Sequence, residues 1–177
     1  MKRLYIHIPF CASKCGYCAF YSIPAPDREL VEKYLRKLCS ELEKKSQTCE
    51  GLESVYVGGG TPSFLAVEDI ERIFTALKTN FSLSNNCEIS IECNPETLND
   101  EKISVLSQSV NRVSFGVQSF NEKFRKILGR KGYPENLYTA LELFRKNGLK
   151  KFSCDLIHGI PGQTTEEYAG GLEKFLQ

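Results

Sequence analysis

Stretches with the patterning of β-strands alternate with stretches of helical periodicity along most of this chain. The strand-like stretches are short and largely apolar, and they begin near residues 4, 53, 87, 112 and 151. Strands that alternate with helices form βα units, whose strands lie parallel in one sheet. The sequence therefore predicts an α/β fold with about five βα units of parallel sheet. Because a closed (β/α)₈ barrel needs eight strands and about 250 residues, we expect a partial barrel that is incomplete at its C-terminal side.

Several predicted helices carry the residues that usually begin or end a helix. Asp27 is the expected N-cap of the first helix, and Gly148 suits the position after the last turn of another. Thr164 and Glu167 form a capping box ahead of the final helix. The predicted helices cover residues 27–45, 67–77, and stretches near 99–108, 121–128, 135–147 and beyond 164. Either the chain is part of a longer protein, or its last strand, at 151–157, is an exposed edge that another chain must cover.

Polar side chains occur at or near the C-terminal ends of three predicted strands. Glu92, Gln118 and Asp155 each fall on the strand face opposite the apolar residues, because side chains alternate between the two faces of a strand. That face is the predicted lumen of the barrel, and its C-terminal end is where barrel enzymes place their chemistry. For each residue alone, the alternative is that it only satisfies neighbouring backbone groups.

Three cysteines follow the first predicted strand in the stretch "IHIPFCASKCGYCAFYS". Cys11, Cys15 and Cys18 are separated by three residues and then by two. Three thiolates can each hold one iron of a [4Fe–4S] cluster, and the absence of a fourth nearby cysteine would leave one iron open to bind a substrate. The alternative is zinc, which usually takes four ligands in close pairs, and no second pair is visible. His7 is a further ligand in principle, although a strand histidine is more often packed and hydrogen-bonded.

The net charge and the remaining cysteines indicate in which compartment the protein works and which classes of partner it binds. Lys and Arg number 23 against 22 Asp and Glu, so the net charge of +1 provides no bulk attraction to nucleic acid or to an anionic membrane. No apolar run approaches a membrane span, and the start "MKRLYIHIPF" does not read as a secretory signal. We expect a cytoplasmic protein with small-molecule partners, no nucleic acid and no stable membrane insertion. The other cysteines are predicted to be reduced, small apolar side chains: Cys39, Cys49, Cys87, Cys93 and Cys154.

Six motifs in order give the chain a family resemblance that runs from Tyr5 to about Thr164. They are "YIHIPFCASKCGYCAF", "VGGGTPS", "IECNPE", "RVSFGVQSF", "LGR" and "DLIHGIPGQT". Together they resemble the radical S-adenosylmethionine proteins of the oxygen-independent coproporphyrinogen III oxidase group, particularly its heme chaperone branch. The resemblance implies that residues 1–177 form a truncated radical S-adenosylmethionine core, and that the C-terminal heme or substrate domain is absent.

The resemblance also implies two cofactors and a set of residues that hold them. Cys11, Cys15 and Cys18 would bind a [4Fe–4S] cluster, and the amine and carboxylate of S-adenosylmethionine would chelate its open iron. In this family an electron from the cluster then cleaves S-adenosylmethionine and releases a 5′-deoxyadenosyl radical. The implied cofactor-binding residues are Tyr5, Tyr17, Gly59, Gly60, Thr61, Glu92, Gln118, Arg130 and Asp155.

Four positions distinguish the branches of the family or depart from its pattern. Oxidases proper carry a further cysteine where this chain has Phe20, and they have an N-terminal extension where only four residues precede Tyr5 here. Both features favour the heme chaperone branch. Gly132 stands where the family usually has a histidine, and His158 stands where it usually has a tyrosine.

Three functions follow from the resemblance. The first is a heme chaperone-like radical S-adenosylmethionine protein of heme and porphyrin metabolism, which would bind heme in the complete protein and pass it to a heme-acceptor protein. The second is the oxidase itself, which decarboxylates coproporphyrinogen III to protoporphyrinogen IX. The third is a carrier of heme or cluster without catalysis. The resemblance favours an enzyme, with a tetrapyrrole as its small-molecule partner and an electron donor.

Overall fold

A parallel sheet of five strands forms the centre of the computed structural model, which describes residues 2–49, 51–132 and 136–176. Its strands are β1 (Arg3–Ile8), β4 (Leu52–Gly59), β5 (Leu83–Cys93), β6 (Arg112–Gln118) and β7 (Lys151–Leu156), and the short β2 (Phe10–Cys11) and β3 (Ile23–Pro24) pair with each other in a separate sheet. The helices are α1 (Arg28–Ser46), α2 (Val67–Asn80), α3 (Asp100–Ser109), α4 (Glu122–Ile127), α5 (Asn136–Lys146) and α6 (Thr165–Leu176). The predicted succession of βα units is confirmed, with the short β2 and β3 added between β1 and α1.

The order of strands in the main sheet is β1-β4-β5-β6-β7, which is also their order along the chain. Every neighbouring pair is parallel, and each connection between neighbours contains at least one helix. Strand β5 begins at Leu83, four residues before the predicted start, because Leu83 still pairs with Leu52 across an irregularity in the register. The C-terminal ends of all five strands therefore lie along one edge of the sheet.

The predicted helix ends are present where the structure describes them. The Asp27 side chain accepts a hydrogen bond from the amide of Leu30 at 2.7 Å. Gly148 has a φ of +90° after α5, a conformation that favours glycine. Both hydrogen bonds of the capping box are present. The amide of Thr164 donates to the Glu167 carboxylate at 2.8 Å, and the amide of Glu167 donates to the Thr164 hydroxyl at 3.2 Å. The predicted start of the helix at 135 lies outside the described residues, and the helix is seen from Asn136.

Alternation of side chains along the strands separates an apolar layer from a polar one. In β6, Val113, Phe115 and Val117 are buried, and Phe115 packs against the rings of Phe144 and Phe152 with centroid distances of 6.0 and 6.2 Å. The opposite face of β5, β6 and β7 carries linked polar groups: Glu88, Ser90, Arg112, Ser114, Ser153 and Asp155. Both layers follow the predicted strand faces, and the polar one leads toward the C-terminal edge of the sheet.

Strand β7 forms one edge of the sheet within the described chain, where it pairs with β6 alone. Helix α6 follows it without any buried residue, and Leu172 and Leu176 are 42% and 81% exposed. The last predicted strand is therefore an edge strand among the described residues. Across residues 2–49, 51–132 and 136–176, no helix is both long enough and apolar enough to cross a membrane.

Candidate cofactor site

A cavity of about 380 Å³ opens where the strands end at their C-terminal edge. Eleven of the twelve predicted site residues line it: Cys11, Cys15, Tyr17, Cys18, Gly59, Gly60, Thr61, Glu92, Gln118, Arg130 and Asp155. Tyr5 is the exception, because it is 56% exposed outside the cavity and stacks on Tyr56 with the ring centroids 6.2 Å apart. Residues spread from position 11 to position 155 of the sequence therefore meet around one space.

The cysteine loop is held against the rest of the fold by backbone hydrogen bonds. The amide of Ala25 bonds to the carbonyl of Cys11 at 2.8 Å, which closes the loop between β2 and β3. The amide of Gly16 bonds to the carbonyl of Leu128 at 3.1 Å, which ties the loop to the end of α4. The Lys14 ammonium donates to the carbonyl of Phe20 at 2.6 Å from within the loop. The loop is therefore fixed at both ends and near its middle, with its three thiols half-buried along the cavity.

The number and chemistry of the thiols suit a cluster in which each thiolate binds a different iron. Within the part of the chain that the structure describes, no three His, Cys, Asp or Glu side chains converge closely enough to hold one ion. Zinc needs its ligands about 2.0–2.3 Å from one atom, whereas each thiolate of a cuboidal cluster binds a different iron. His7 does not join the thiols, because its ring nitrogens contact the Tyr5 hydroxyl at 2.9 Å and the Tyr21 carbonyl at 3.2 Å. The donor set fits a [4Fe–4S] cluster.

The glycine run after β4 lies in space that a side chain would fill. A Cβ on Gly60 would come within 2.7 Å of the Phe10 carbonyl oxygen and 3.0 Å of the Cys11 sulfur. Gly59 has a φ of +117°, and a Cβ there would meet the His7 ring at 2.6 Å. Thr61, the next residue, directs its hydroxyl at the Cys11 sulfur, 3.5 Å away. The glycines therefore allow the end of β4 to pack directly against the start of the cysteine loop.

The Glu92 carboxylate is held by two donors. The Tyr56 hydroxyl donates to one oxygen at 2.8 Å, and the amide of Gly59 donates to the other at 3.1 Å. Burial first, and then the hydrogen bond to Glu92, raise the pKa of Tyr56 above its ordinary value, so this hydroxyl stays protonated as a donor. Tyr56 was not among the predicted site residues. The sequence feature that could have identified Tyr56 is strand alternation, which places it on the same face of β4 as Gly58, beside the predicted Glu92.

Arg130 is a buried cation in the cavity wall, with only 8% of its side chain exposed. Its Nη2 donates to Asn94 Oδ1 and to the carbonyl of Gly116, and it lies 3.4 Å from Glu96 Oε2. Asn94 and Glu96 were also not predicted, although both belong to the motif "IECNPE". Burial raises the pKa of the nearby Tyr17 to about 12, and the positive charge of Arg130 opposes that rise.

Gln118 and Asp155 complete the wall from the ends of β6 and β7. Gln118 has a φ of +69°, which is uncommon for a residue other than glycine and marks the point where β6 leaves the sheet. Its carbonyl accepts a bond of 2.9 Å from the amide of Ile157. The Ser114 hydroxyl lies 3.4 Å from Asp155 Oδ2. Each of the two polar side chains thus reaches the cavity from a backbone position that the sheet fixes.

Comparison with protein families places this arrangement of strands, loop and cavity in a known group. The family model described as the Radical SAM superfamily matches residues 5–173. The chain belongs to the radical SAM superfamily. The match begins within β1 and ends within α6, so it takes in the strands of the sheet and every residue that lines the cavity.

Curated relatives of this radical SAM chain include heme chaperones and an oxidase. The heme chaperone HemW of Lactococcus lactis is 39% identical over 174 residues, and that of Escherichia coli is 36% identical over 177. Each alignment covers 98% of this chain, but 45% and 47% of the respective relative. The oxygen-independent coproporphyrinogen III oxidase of Cereibacter sphaeroides is 33% identical, with 98% of this chain and 39% of that protein covered. The chain thus spans less than half the length of these relatives.

Solved structures of other proteins have a fold similar to that of this chain. Coproporphyrinogen III oxidase HemN from Escherichia coli, a radical SAM enzyme, superposes with a TM-score of 0.90 at 31% identity, covering 98% of this chain and 41% of that one. The methyltransferase TsrM from Kitasatospora setae has a TM-score of 0.68 at 14% identity, covering 99% of this chain and 34% of that one. The second likeness shows the fold alone.

The thiols of this radical SAM chain are expected to differ in reactivity. Cys93 is buried, and burial raises the pKa of its thiol to about 12. At pH 8 its thiolate fraction is roughly a thousandfold below that of an ordinary cysteine. Iodoacetamide should therefore modify the half-buried loop cysteines of the cluster-free chain well before Cys93, as followed by peptide mass spectrometry. Unfolding in urea should remove the difference, and equal labelling in the folded chain would contradict the burial of Cys93.

Proposed function

We propose that residues 1–177 form the cofactor-binding core of a heme chaperone-like radical SAM protein of heme and porphyrin metabolism. The observation that carries the proposal is the convergence of eleven predicted cofactor residues on a single cavity, from the cysteine loop, the ends of four strands and the segment after α4. Their order along the chain matches the motifs of the heme chaperone branch, and chaperones named HemW are among the curated relatives.

The cavity offers separate places for a cluster and for S-adenosylmethionine. Cys11, Cys15 and Cys18 would hold a [4Fe–4S] cluster at the loop end of the cavity, with no fourth cysteine in the loop to close the cluster. Among the solved neighbours, one contains a bound [4Fe–4S] cluster and another contains bound AdoMet. When bound, the two cofactors supply one-electron cleavage chemistry, and the chain supplies position and exclusion of water.

The remaining residues match the chemical groups of S-adenosylmethionine. Glu92, held by Tyr56 and Gly59, retains acceptor sites for hydroxyl donors such as those of a ribose. Arg130 presents a buried positive charge suited to a carboxylate. Gly59 and Gly60 line the cavity as well, and without a Cβ they let the end of β4 pack against His7 and the cysteine loop that would hold the cluster.

Phe20 favours the chaperone over the oxidase. It stands where oxidases of this group carry a further cysteine, and the residue is 71% exposed within the cysteine loop. The oxidase is the second candidate, because the HemN enzyme superposes with a TM-score of 0.90. For either function, the whole protein would require a tetrapyrrole, an electron donor and, for a chaperone, a heme-acceptor protein.

Anaerobic reconstitution of the chain with iron and sulfide tests the cofactor assignment. We expect about four iron and four sulfide per chain, and a cluster electron paramagnetic resonance signal that changes when S-adenosylmethionine is added. A stoichiometric zinc ion without iron would refute the assignment.

Three assays of the complete protein separate the candidate functions. Heme binding and transfer to an acceptor would support the chaperone, whereas anaerobic formation of protoporphyrinogen from coproporphyrinogen III would support the oxidase. Formation of 5′-deoxyadenosine after reduction with dithionite would show that S-adenosylmethionine is cleaved. Heme binding without that cleavage would favour a carrier that performs no catalysis.

A further inference from the structure

Two buried arginines share one carboxylate next to the cavity. Arg125 and Arg130 have 3% and 8% of their side chains exposed, and Glu96 between them has 13%. Arg130 and Glu96 line the cavity, whereas Arg125 lies behind it. Two positive charges and one negative charge leave this group with one uncompensated positive charge.

Glu96 contacts the two arginines unequally. Its Oε1 makes a close ion pair with Arg125 Nη2, while its Oε2 lies 3.4 Å from Arg130 Nη2. Arg125 is fixed by further bonds, from Nη1 to the carbonyl of Val117 at 2.9 Å and from Nη2 to that of Gly132 at 3.3 Å. Glu96 is therefore held primarily by Arg125, and its contact with Arg130 is the longer of the two.

Gly132 leaves the space that Glu96 occupies. A Cβ on Gly132 would lie 2.0 Å from Glu96 Cγ, and the φ of Gly132 is +82°. A side chain at position 132 and the present position of Glu96 exclude each other. The glycine, which departs from the family pattern, is thus matched by the arrangement of Glu96 and Arg125.

Arg130 keeps donor capacity that the described chain does not use. Its Nη2 makes the hydrogen bonds that the structure gives this side chain, and its Nε is buried without a partner among the described residues. The Nε of Arg125 is likewise unpartnered there, but Arg125 does not reach the cavity. An anionic group entering the cavity would meet Arg130, with Lys14 and Lys131 also on the wall and Glu92 and Asp155 as the opposing charges.

The geometry points to Arg125 as a positioning residue that holds Glu96 and so keeps the charge of Arg130 available for the carboxylate of the bound ligand. This inference rests on the proposed function, in which that ligand is S-adenosylmethionine. Removing the charge of Arg125 releases Glu96 to neutralise Arg130. Removing the charge of Glu96 as well makes Arg130 available again.

The test compares binding of S-adenosylmethionine with binding of its decarboxylated analogue by the reconstituted chain, using anaerobic equilibrium dialysis. Any contribution of the iron to the carboxylate preference is common to all variants. Differences in this preference between variants therefore measure the contribution of the protein side chains. Arg125→Met should lower the preference for the carboxylate roughly ten- to a hundredfold, the usual effect of losing one hydrogen bond to a charged group. The double variant Arg125→Met/Glu96→Gln should restore most of the preference at unchanged iron content.

The double variant distinguishes positioning from a structural role. If Arg125 only stabilises the fold, the double variant should be no better than Arg125→Met, and that result would overturn the inference. Should Arg125→Met fail to fold, the double variant alone decides, because it contains no released carboxylate and should keep the preference within about threefold of the unmodified chain. If the unmodified chain binds neither ligand, the proposed function fails instead.

Discussion

Replacement of Cys15 with alanine is expected to abolish the [4Fe–4S] cluster, leaving less than about a tenth of the iron bound by the unmodified chain. Cys11, Cys15 and Cys18 are the cysteines of one loop tied to β3 and α4 by backbone bonds, so a more distant thiol cannot take the place of Cys15. The measurement is iron and sulfide content after anaerobic reconstitution, together with the visible absorbance of the cluster.

Cys39→Ala is the matched control for this loss. Cys39 is a half-buried free cysteine like the loop thiols, but it lies on α1 beside Arg72, away from the cavity. This variant should retain the full cluster content. Undiminished absorbance in Cys15→Ala, or an equal loss in Cys39→Ala, would show that the loop does not bind the cluster through Cys15.

The parallel sheet could be predicted from the sequence because its signals are local. Strand alternation placed Val113, Phe115 and Val117 on one face of β6, and burial follows that pattern. The polar residues at the strand ends were predicted on the same principle. In a parallel sheet the C-terminal ends share one edge, so residues far apart in sequence necessarily meet there.

The supporting contacts of the site could not be predicted because they depend on distances between elements. Tyr56 is one aromatic residue in an apolar strand until the fold brings Glu92 within 2.8 Å of its hydroxyl. Arg125 appears in the sequence as one cation of a charged helix, yet the fold buries it against Glu96. Tyr5 shows the converse, because the family resemblance predicts it at the cofactor, whereas the fold leaves it exposed outside the cavity.

The site as a whole depends on close packing between the end of β4 and the cysteine loop. The amide of Gly60 bonds to the carbonyl of Ile8 at 2.8 Å, and that of Thr61 bonds to the carbonyl of Phe10 at the same distance. These bonds continue the pairing of β1 with β4 beyond the sheet and bring the chain to Cys11. The orientation of the first cysteine is therefore set by backbone contacts, which have little freedom to adjust.

Gly60→Ala should consequently damage both the fold and the cluster. The added methyl group would lie 2.7 Å from the Phe10 carbonyl oxygen, 3.0 Å from that of Ile8 and 3.0 Å from the Cys11 sulfur. Two of these three neighbours are backbone atoms, so the strand end and the loop must move apart. Overpacking of this kind lowers the free energy of unfolding by about 1–3 kcal/mol. Urea denaturation of the cluster-free chain measures this loss, and iron content after reconstitution measures the displacement of Cys11.

Gly171→Ala provides the opposite expectation for the same chemical change. Gly171 lies inside α6, and a Cβ there would meet nothing within 4 Å. Because alanine favours the helix over glycine, the free energy of unfolding should rise by about 0.5–1 kcal/mol, with cluster content unchanged. If Gly60→Ala retained both stability and cluster content, as Gly171→Ala is expected to do, the packing of β4 against the cysteine loop would not be what positions Cys11.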